Sequence, residues 1–212
     1  MKNYRDHYFV KAKQDGYVAR SVYKLKELDT QYRLFRPGQR ILDLGAAPGS
    51  WTLYAAAKVA GGKALVGGTQ GERGKGGWVL AVDLQDWAAL GTTFPDNVTC
   101  LTDDVLEPSQ VLYAALSAWR PFDLVISDMA PRTTGVRVTD QTCSLALAEA
   151  ALKMAGYALV TGGHFIVKIF MGPDVKAYVD ILCRRFATVK AHKPKSSRSE
   201  SIEIFYVGFF KR

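Results

Sequence analysis

An acidic residue followed by a glycine-rich turn is the clearest chemical signal in this sequence. Residues 41–51 read ILDLGAAPGSW, and residues 51–59 then follow a helical pattern. Because two apolar residues lead into Asp43, we predict a buried parallel strand whose carboxyl end opens into a tight loop, where open α/β sheets bind ligands. Gly45 and Gly49 suit such a loop, since glycine adopts positive φ and lets a backbone approach a ligand without steric cost.

The charge of Asp43 indicates which ligand the turn binds. A dinucleotide fingerprint spaces three glycines so that a pyrophosphate rests on a helix N-terminus, and this spacing is missing here. Asp43 would repel a phosphate, whereas it can pair with an ammonium group. The turn therefore favours S-adenosylmethionine, whose amino-acid tail carries an ammonium group. The alternative is an ordinary strand–turn–helix of another α/β enzyme.

Acids also end the next two predicted strands. Asp83 closes the run VLAVD, and Asp103 and Asp104 follow the strand after it. A strand-end acid such as Asp83 can accept hydrogen bonds from both hydroxyls of a ribose, and Asp103 or Asp104 can bind an adenine amino group. A single acid of this kind is more often a helix cap. Three at successive strand ends, after the glycine-rich turn, predict an adenosine pocket.

Two charged residues stand inside apolar strands. Lys168 lies in FIVKIFM and Glu203 in IEIFYV. Lysine is almost never fully buried without a partner, and a desolvated lysine can become a general base. A single structural ion pair between Lys168 and Glu203 is the simpler alternative. Asp128, in SDMAP, closes a third strand beside the proposed cofactor edge.

The hydrophobic pattern alternates between strands and helices from residue 41 onward. We predict strands at 40–45, 78–83, 98–103, 122–127, 164–170 and 201–210, and helices at 50–59, 107–119, 139–160 and 173–186. The long helix at 139–160 has an apolar stripe from Leu145 to Leu159. This alternation predicts a parallel sheet between layers of helices, within a single domain spanning residues 1–212.

Residues 61–77 differ from the rest of the chain in composition. They hold eight of the nineteen glycines with charged residues among them, so we interpret them as a solvated loop insertion. A phosphate-binding glycine loop is the alternative, but the Walker spacing of glycines and lysine is absent.

Composition limits the class of protein. With 212 residues, 48% of them apolar, the chain can bury a substantial core. The three cysteines lie far apart without a C-x-x-C spacing, which indicates a reduced intracellular protein with no zinc or other metal site and no disulfide framework. No apolar run reaches the length of a membrane span, and the N-terminus lacks a signal-peptide core. We therefore expect a cytoplasmic enzyme.

Positive charge is concentrated in two segments of the chain. The net charge is +8, yet residues 41–183 carry ten basic and fourteen acidic residues. Residues 1–40 hold ten basic residues against four acids, and residues 184–212 hold eight against two. We interpret residues 1–39 as a basic N-terminal extension and helix. If these segments meet at the binding edge, they form a phosphate-binding surface, which favours RNA or DNA as a partner. Two solvated basic segments are the alternative.

The motifs together resemble one known family. RSVYKLKEL, DLGAAPGSW, SDMAP, FIVKIF and KPKSSRSESIEIFYV run nearly from end to end, and they are similar to the FtsJ/RrmJ (RlmE) family of S-adenosylmethionine-dependent RNA ribose 2′-O-methyltransferases. The resemblance implies an α/β, Rossmann-like methyltransferase fold. Its sheet would be seven-stranded and mostly parallel, with helices on both faces and an antiparallel last strand.

The resemblance also implies the site residues and the substrate. The family's catalytic tetrad falls on Lys24, Asp128, Lys168 and Glu203. Its contacts to S-adenosylmethionine fall on Gly49, Trp51, Asp83, Asp104 and Asp128, with Asp104 preferred to Asp103 by alignment. The implied substrate is a uridine of large-subunit ribosomal RNA within a late assembly particle, methylated by a monomer. A tRNA ribose, or a non-catalytic RNA-binding assembly factor, is the alternative.

Lys24 is predicted from the resemblance alone. The surrounding pattern places Val18, Val22, Leu25 and Leu28 on the inner side of a helix. Arg20, Lys24 and Glu27 then share a flank that is normally solvated, so the residues by themselves assign Lys24 no role.

Overall fold

A computed structural model describes residues 7–61, 76–198 and 200–212. Within these residues, seven strands form one sheet in the order β3-β2-β1-β4-β5-β7-β6. The strands are β1 (Arg40–Leu44), β2 (Trp78–Asp83), β3 (Val98–Thr102), β4 (Phe122–Ser127), β5 (Leu159–Phe170), β6 (Phe186–His192) and β7 (Glu203–Lys211). Strands β1 to β5 pair in parallel, whereas β7 is antiparallel to both β5 and β6. The predicted mostly parallel sheet with an antiparallel last strand is confirmed.

Helices cover both faces of this sheet. They are α1 (His7–Gln14), α2 (Val22–Tyr32), α3 (Ser50–Val59), α4 (Trp87–Leu90), α5 (Gln110–Trp119), α6 (Arg137–Ala158) and α7 (Val175–Arg185). Residues of α1, α2 and α3 form one core cluster with one face of the sheet, and α5, α6 and α7 contribute to a second cluster on the opposite face. Because both faces are covered, the central strands are mostly apolar, as in Val79–Val82 of β2, all of which are buried.

The structure corrects some of the predicted element bounds. Helix α6 ends at Ala158, and Leu159 begins β5, so Leu159 does not belong to the helical stripe. Helix α5 begins at Gln110 and not at 107, because the Ser109 hydroxyl accepts hydrogen bonds from the first backbone N–H groups and caps the helix. The sequence pattern did not locate β6, whose residues are mostly exposed and lack an alternation of apolar and polar side chains.

Two further predictions concern the glycine-rich insertion and the absence of a membrane span. Residues 62–75, most of the predicted glycine-rich insertion, lie outside the described residues. No helix among the described residues is long and apolar enough to cross a bilayer.

Candidate active site

The topology brings the ends of β1, β4 and β5 to one edge. Leu44 pairs with Ser127, and Ser127 pairs with Val167, so the residues that follow these strands are neighbours. Because β7 runs antiparallel, its first residue, Glu203, lies opposite Phe170 at this same edge. The reversed last strand therefore places an acid beside the carboxyl ends of the parallel strands.

Lys168 forms an ion pair with Asp128. The Lys168 Nζ atom is 2.9 Å from Asp128 Oδ1, and it also donates a hydrogen bond of 2.5 Å to the Asp128 backbone carbonyl. The lysine side chain is only 6% exposed. The two interactions hold the charged end of a buried lysine at the strand edge.

Lys24 forms a second ion pair, with Glu203. Lys24 Nζ is 2.6 Å from Glu203 Oε1, which also accepts a 2.7 Å hydrogen bond from the Ser197 hydroxyl. Burial raises the pKa of Glu203, but Lys24, Ser197 and Lys168 lower it, and the net shift is downward. Glu203 is therefore a carboxylate at neutral pH.

The four predicted catalytic residues thus lie together. The simpler alternative, a single ion pair between Lys168 and Glu203, is not what the structure contains, since each lysine has its own carboxylate. Lys168 still acts electrostatically on Glu203, so the two pairs adjoin. The result is a compact group of two cations and two anions at the edge of the sheet.

Helix α2 positions Lys24 through its buried face. Val22, Leu25 and Leu28 are fully buried against the sheet, as the pattern predicts. Val18 is instead 46% exposed and precedes the helix, so its predicted inward position is wrong. With the apolar face of α2 fixed, the neighbouring flank of the helix points at β7 and carries Lys24 to Glu203.

That flank is not solvated, contrary to the sequence pattern. Glu27 accepts hydrogen bonds from the backbone N–H groups of Lys195 (2.7 Å) and Ser196 (2.9 Å). The Arg20 guanidinium donates a 2.5 Å hydrogen bond to the Ser196 carbonyl. Arg20 and Glu27, on either side of Lys24, therefore attach α2 and the residues before it to the loop between β6 and β7, which is called the loop before β7 below.

The glycine-rich turn after β1 has the backbone conformation that the sequence predicts. Gly45 has φ +72° and Gly49 has φ +104°. A Cβ atom on Gly45 would overlap the Met129 side chain, and one on Gly49 would lie 2.5 Å from Phe94 Cζ. Both positions therefore exclude side chains for reasons of space as well as conformation.

Asp43 is a buried acid with one unpartnered oxygen. Its Oδ2 accepts a 2.7 Å hydrogen bond from the Thr52 hydroxyl, whereas Oδ1 has no hydrogen-bond partner within the described part of the chain. Burial raises the pKa of Asp43 to about 7, against the effect of Thr52, and the nearby Asp128 and Asp83 add to the rise. A buried, unsatisfied acceptor among other acids suits a cationic ligand.

The other strand-end acids hold loops at the same edge. Asp83 accepts hydrogen bonds from the backbone N–H groups of Ala47 and Gln85, both 2.9 Å long. Asp103 directs both carboxylate oxygens to Ser109 at the start of α5. Asp104 accepts one hydrogen bond, through Oδ1, from the Leu106 N–H group. Both oxygens of Asp103 thus hold Ser109, the residue that caps α5, which favours Asp104 as the acid for a ligand.

Trp51 packs beneath the ion pairs. Its side chain is 3% exposed, its ring stacks on Phe205 at a centroid distance of 5.7 Å, and its indole N–H donates to the Ser21 carbonyl. Lys24 Nζ lies 5.9 Å from the same Phe205 ring. The indole therefore supports the floor of the site, and its predicted contact with a cofactor stays a prediction.

Reasoning from the sequence missed three residues that position the charged groups: Thr52, Glu27 and Ser197. Thr52 could have been predicted, because it lies in the first turn of α3. A hydroxyl at that position faces the acid at the end of the preceding strand, here Asp43. Ser197 and Glu27 could not, since Ser197 and the partners of Glu27 lie in the loop between β6 and β7, and β6 was not predicted.

Comparisons with known proteins support the fold and show the family. The sequence model of the FtsJ-like methyltransferase family matches residues 17–211. A protein named ribosomal RNA large subunit methyltransferase E from Nitratidesulfovibrio vulgaris (strain Miyazaki F) is 56% identical over 98% of this chain and 94% of its own length. A protein of the same name from Bdellovibrio bacteriovorus is 43% identical over 99% of this chain and 98% of its own.

Solved structures share the fold at low sequence identity. A Plasmodium falciparum protein described as a ribosomal RNA methyltransferase superposes with a TM-score of 0.72 at 24% identity, covering 92% of this chain and all of that one. A fibrillarin/Nop5p complex gives a TM-score of 0.56 at 17% identity, with 89% of this chain and 82% of that chain covered. From the extent of the family match and the identity to these relatives, we conclude that this chain is a methyltransferase of the FtsJ-like family.

Proposed function

We propose that this enzyme transfers a methyl group from S-adenosylmethionine to a ribose 2′-hydroxyl of RNA, on a uridine of large-subunit ribosomal RNA. The observation that carries the proposal is the pair of lysine–carboxylate contacts beside an acidic, glycine-lined turn. Relatives at 56% and 43% identity that are named for large-subunit ribosomal RNA support the choice of RNA.

The residues after β1, β2 and β3 fit S-adenosylmethionine. This molecule carries an ammonium and a sulfonium against one carboxylate, so it is a net cation. The unpartnered Oδ1 of buried Asp43 suits the ammonium group. Asp83 and Asp104 at successive strand ends suit the ribose hydroxyls and the adenine amino group. Gly45 and Gly49 let the backbone of the turn pass close to Met129 and Phe94, where a Cβ atom would clash.

The reaction needs help mainly at the nucleophile. When bound, S-adenosylmethionine supplies a methyl group on a positively charged sulfur, and the thioether that departs is neutral, so no acid is required there. A ribose hydroxyl is a weak nucleophile. Lys168, at the strand edge, orients the hydroxyl and either takes its proton as a neutral amine or stabilises the developing alkoxide as an ammonium.

The two carboxylates and Lys24 position this lysine. Asp128 holds Lys168 through both its side chain and its backbone carbonyl. Glu203 compensates the charge of Lys24, and burying either charge alone would cost several kcal/mol. Lys24 then presents a second positive group to the hydroxyl oxygen, with Glu203 keeping it in place.

Charge around the site supports RNA as the substrate. Parts of the two basic segments meet beside the tetrad, because α2 and the loop before β7 contact each other there. Such a surface binds phosphates. DNA lacks the 2′-hydroxyl, so it can bind to this surface but cannot react.

A tritium-transfer assay tests the proposal. Labelled S-adenosylmethionine is incubated separately with large-subunit rRNA, with large-subunit particles and with tRNA, all from cells lacking this protein, and ribose methylation is then mapped. We expect one methylated uridine in large-subunit rRNA, and we expect particles to be a better substrate than free rRNA. We also propose that the enzyme is a monomer and acts in the cytoplasm. Label in tRNA would overturn the choice of RNA, and no label in any RNA would overturn the catalytic role.

A further inference from the structure

A pocket of about 380 Å³ lies between the start of α2 and the loop before β7. Arg20 and Ser21 line it on the side of α2, and Arg198, Glu200 and Ser201 line it on the side of the loop. The Lys24–Glu203 ion pair also forms part of its wall. The pocket therefore adjoins the tetrad.

Hydrogen bonds hold the wall of this pocket in shape. Glu27 binds two successive backbone N–H groups of the loop, at 2.7 and 2.9 Å. The Lys193 ammonium donates a 2.8 Å hydrogen bond to the Ser201 carbonyl, and the Ser197 hydroxyl binds Glu203. Because these contacts need no ligand, the pocket is preorganised for one.

The charges of the pocket select a singly charged anion. Glu203 compensates the charge of Lys24. The other charged groups of the lining are the guanidinium groups of Arg20 and Arg198 and the carboxylate of Glu200, which together carry one net positive charge. Burial lowers the pKa of Arg20, and repulsion from Arg198 lowers it further, while Glu203 opposes the shift. An anion between the two guanidinium groups relieves this repulsion. Glu200 disfavours a highly charged anion such as a free triphosphate.

We propose that this pocket binds the RNA phosphodiester next to the reacting ribose, with Arg198 as its principal contact. The proposal rests on the RNA ribose chemistry proposed above. The carbon that carries the 3′-phosphate is bonded to the carbon that carries the 2′-hydroxyl. A hydroxyl held between Lys168 and Lys24 therefore places a phosphate beside the Lys24–Glu203 pair, where the pocket opens. Arginine matches phosphate with two parallel hydrogen bonds.

Substitution of Arg198 tests the pocket. The probe is unmethylated large-subunit rRNA from cells lacking the protein, and its binding is measured over a range of salt concentrations without cofactor. Arg198→Ala should weaken binding about tenfold and reduce the salt slope by about one, whereas Arg198→Lys should keep the slope. In the transfer assay, Arg198→Ala should raise KM for RNA with kcat changed less than about twofold. The matched control Arg184→Ala, in α7 on the opposite face of the sheet, should behave as wild type.

The results separate this inference from the proposed function. An Arg198→Ala protein with wild-type RNA affinity and salt slope overturns the pocket. Weaker binding with an unchanged salt slope for both Arg198 variants would indicate that Arg198 contacts a base. That result would also overturn the proposal that the pocket binds a phosphodiester. Absence of methyl transfer by wild type overturns the proposed reaction instead, since the binding measurement does not depend on catalysis. Unchanged melting temperatures and S-adenosylmethionine affinity show that the variants are folded.

Discussion

At the scale of single residues, the two ion pairs have different partners and therefore different expected roles. Lys168 reaches the reacting edge from inside the sheet, and its only described side-chain acid within ion-pair distance is Asp128. Lys24 arrives from a helix and depends on Glu203, which in turn depends on Ser197. Loss of Lys168 removes a reacting group, whereas loss of Glu203 removes a support.

Lys168→Ala should abolish methyl transfer while cofactor binding survives. Removal of a group that handles a proton in the transition state typically costs a factor of about 10² to 10⁴ in rate. Single-turnover transfer to rRNA measures the chemical step, and calorimetry measures the affinity for S-adenosylmethionine. A near-normal single-turnover rate would remove Lys168 from the mechanism.

Glu203→Gln should have a milder effect on the rate and a pH-dependent effect on stability. The pKa of Glu203 is lowered in the fold, so its carboxylate stabilises the protein above the ordinary pKa of about 4.5, and this contribution is lost as the pH falls further. The difference in melting temperature between wild type and variant should therefore narrow below about pH 4.5. A difference that stays constant down to pH 3 would contradict the Lys24–Glu203 contact.

Asp43 should release a proton when S-adenosylmethionine binds. Burial raises the pKa of Asp43 to about 7, so the free protein holds this proton at pH 6. An ammonium group at Oδ1 lowers the pKa and expels the proton. Calorimetry at pH 6 in buffers of different ionisation enthalpy should show the release, which should vanish at pH 8.5.

Two variants control this measurement. Asp43→Asn should bind the cofactor more weakly and release no proton, whereas Asp96→Asn, at an exposed position, should behave as wild type. The free wild-type protein should also lose stability as the pH rises from about 4 to about 7, because ionisation of the buried carboxyl is unfavourable, and Asp43→Asn should not. Equal proton release by wild type and Asp43→Asn would assign the proton elsewhere.

At the scale of elements, the contact between α2 and the loop before β7 decides whether the tetrad is assembled. Glu27 provides two hydrogen bonds across this contact, and Lys24 lies one helical turn away from it. Glu27 touches neither of the proposed reacting groups. It is a positioning residue, and its effect should appear in the orientation of Lys24.

Glu27→Gln should lower kcat about tenfold with little change in the affinity for S-adenosylmethionine, since one of the two backbone N–H groups then faces an amide NH2 group and loses its acceptor. Transfer rates and cofactor titrations measure the two effects separately. The matched variant Glu107→Gln, at an exposed position before α5, should change neither. A fall in melting temperature with kcat intact would assign Glu27 a purely structural role.

The elements also show which parts of the fold the sequence specifies. Strand β1 and its turn were predictable because an apolar run, Asp43 and two glycines each require the same local structure. Strand β6 was not, because an exposed edge strand needs no apolar alternation. Lys24 came only from family resemblance, since a lysine on a helix flank is charged and solvated in most proteins, and its partner is distant in sequence.

At the scale of the whole molecule, the reactive edge combines groups from both ends of the described chain. Lys24 comes from α2, Asp128 follows β4, Lys168 lies in β5, and Glu203 begins β7. The acidic turn lies near the tetrad, since Asp128 acts electrostatically on Asp43, and the pocket lined by Arg20 and Arg198 adjoins the Lys24–Glu203 pair. The proposed cationic cofactor and anionic substrate would each find groups of opposite charge next to the same four residues.

The place of β7 in the sheet has a consequence for synthesis on the ribosome. This strand leaves the ribosome after β6, yet it lies between β5 and β6 in the finished sheet. Strand β6 has nothing to pair with until β7 is inserted, and Lys24 has no counter-ion until Glu203 arrives with that strand. A nascent chain that stops short of residue 203 therefore has an open sheet and an incomplete tetrad, so we expect catalytic competence only when translation of β7 is finished.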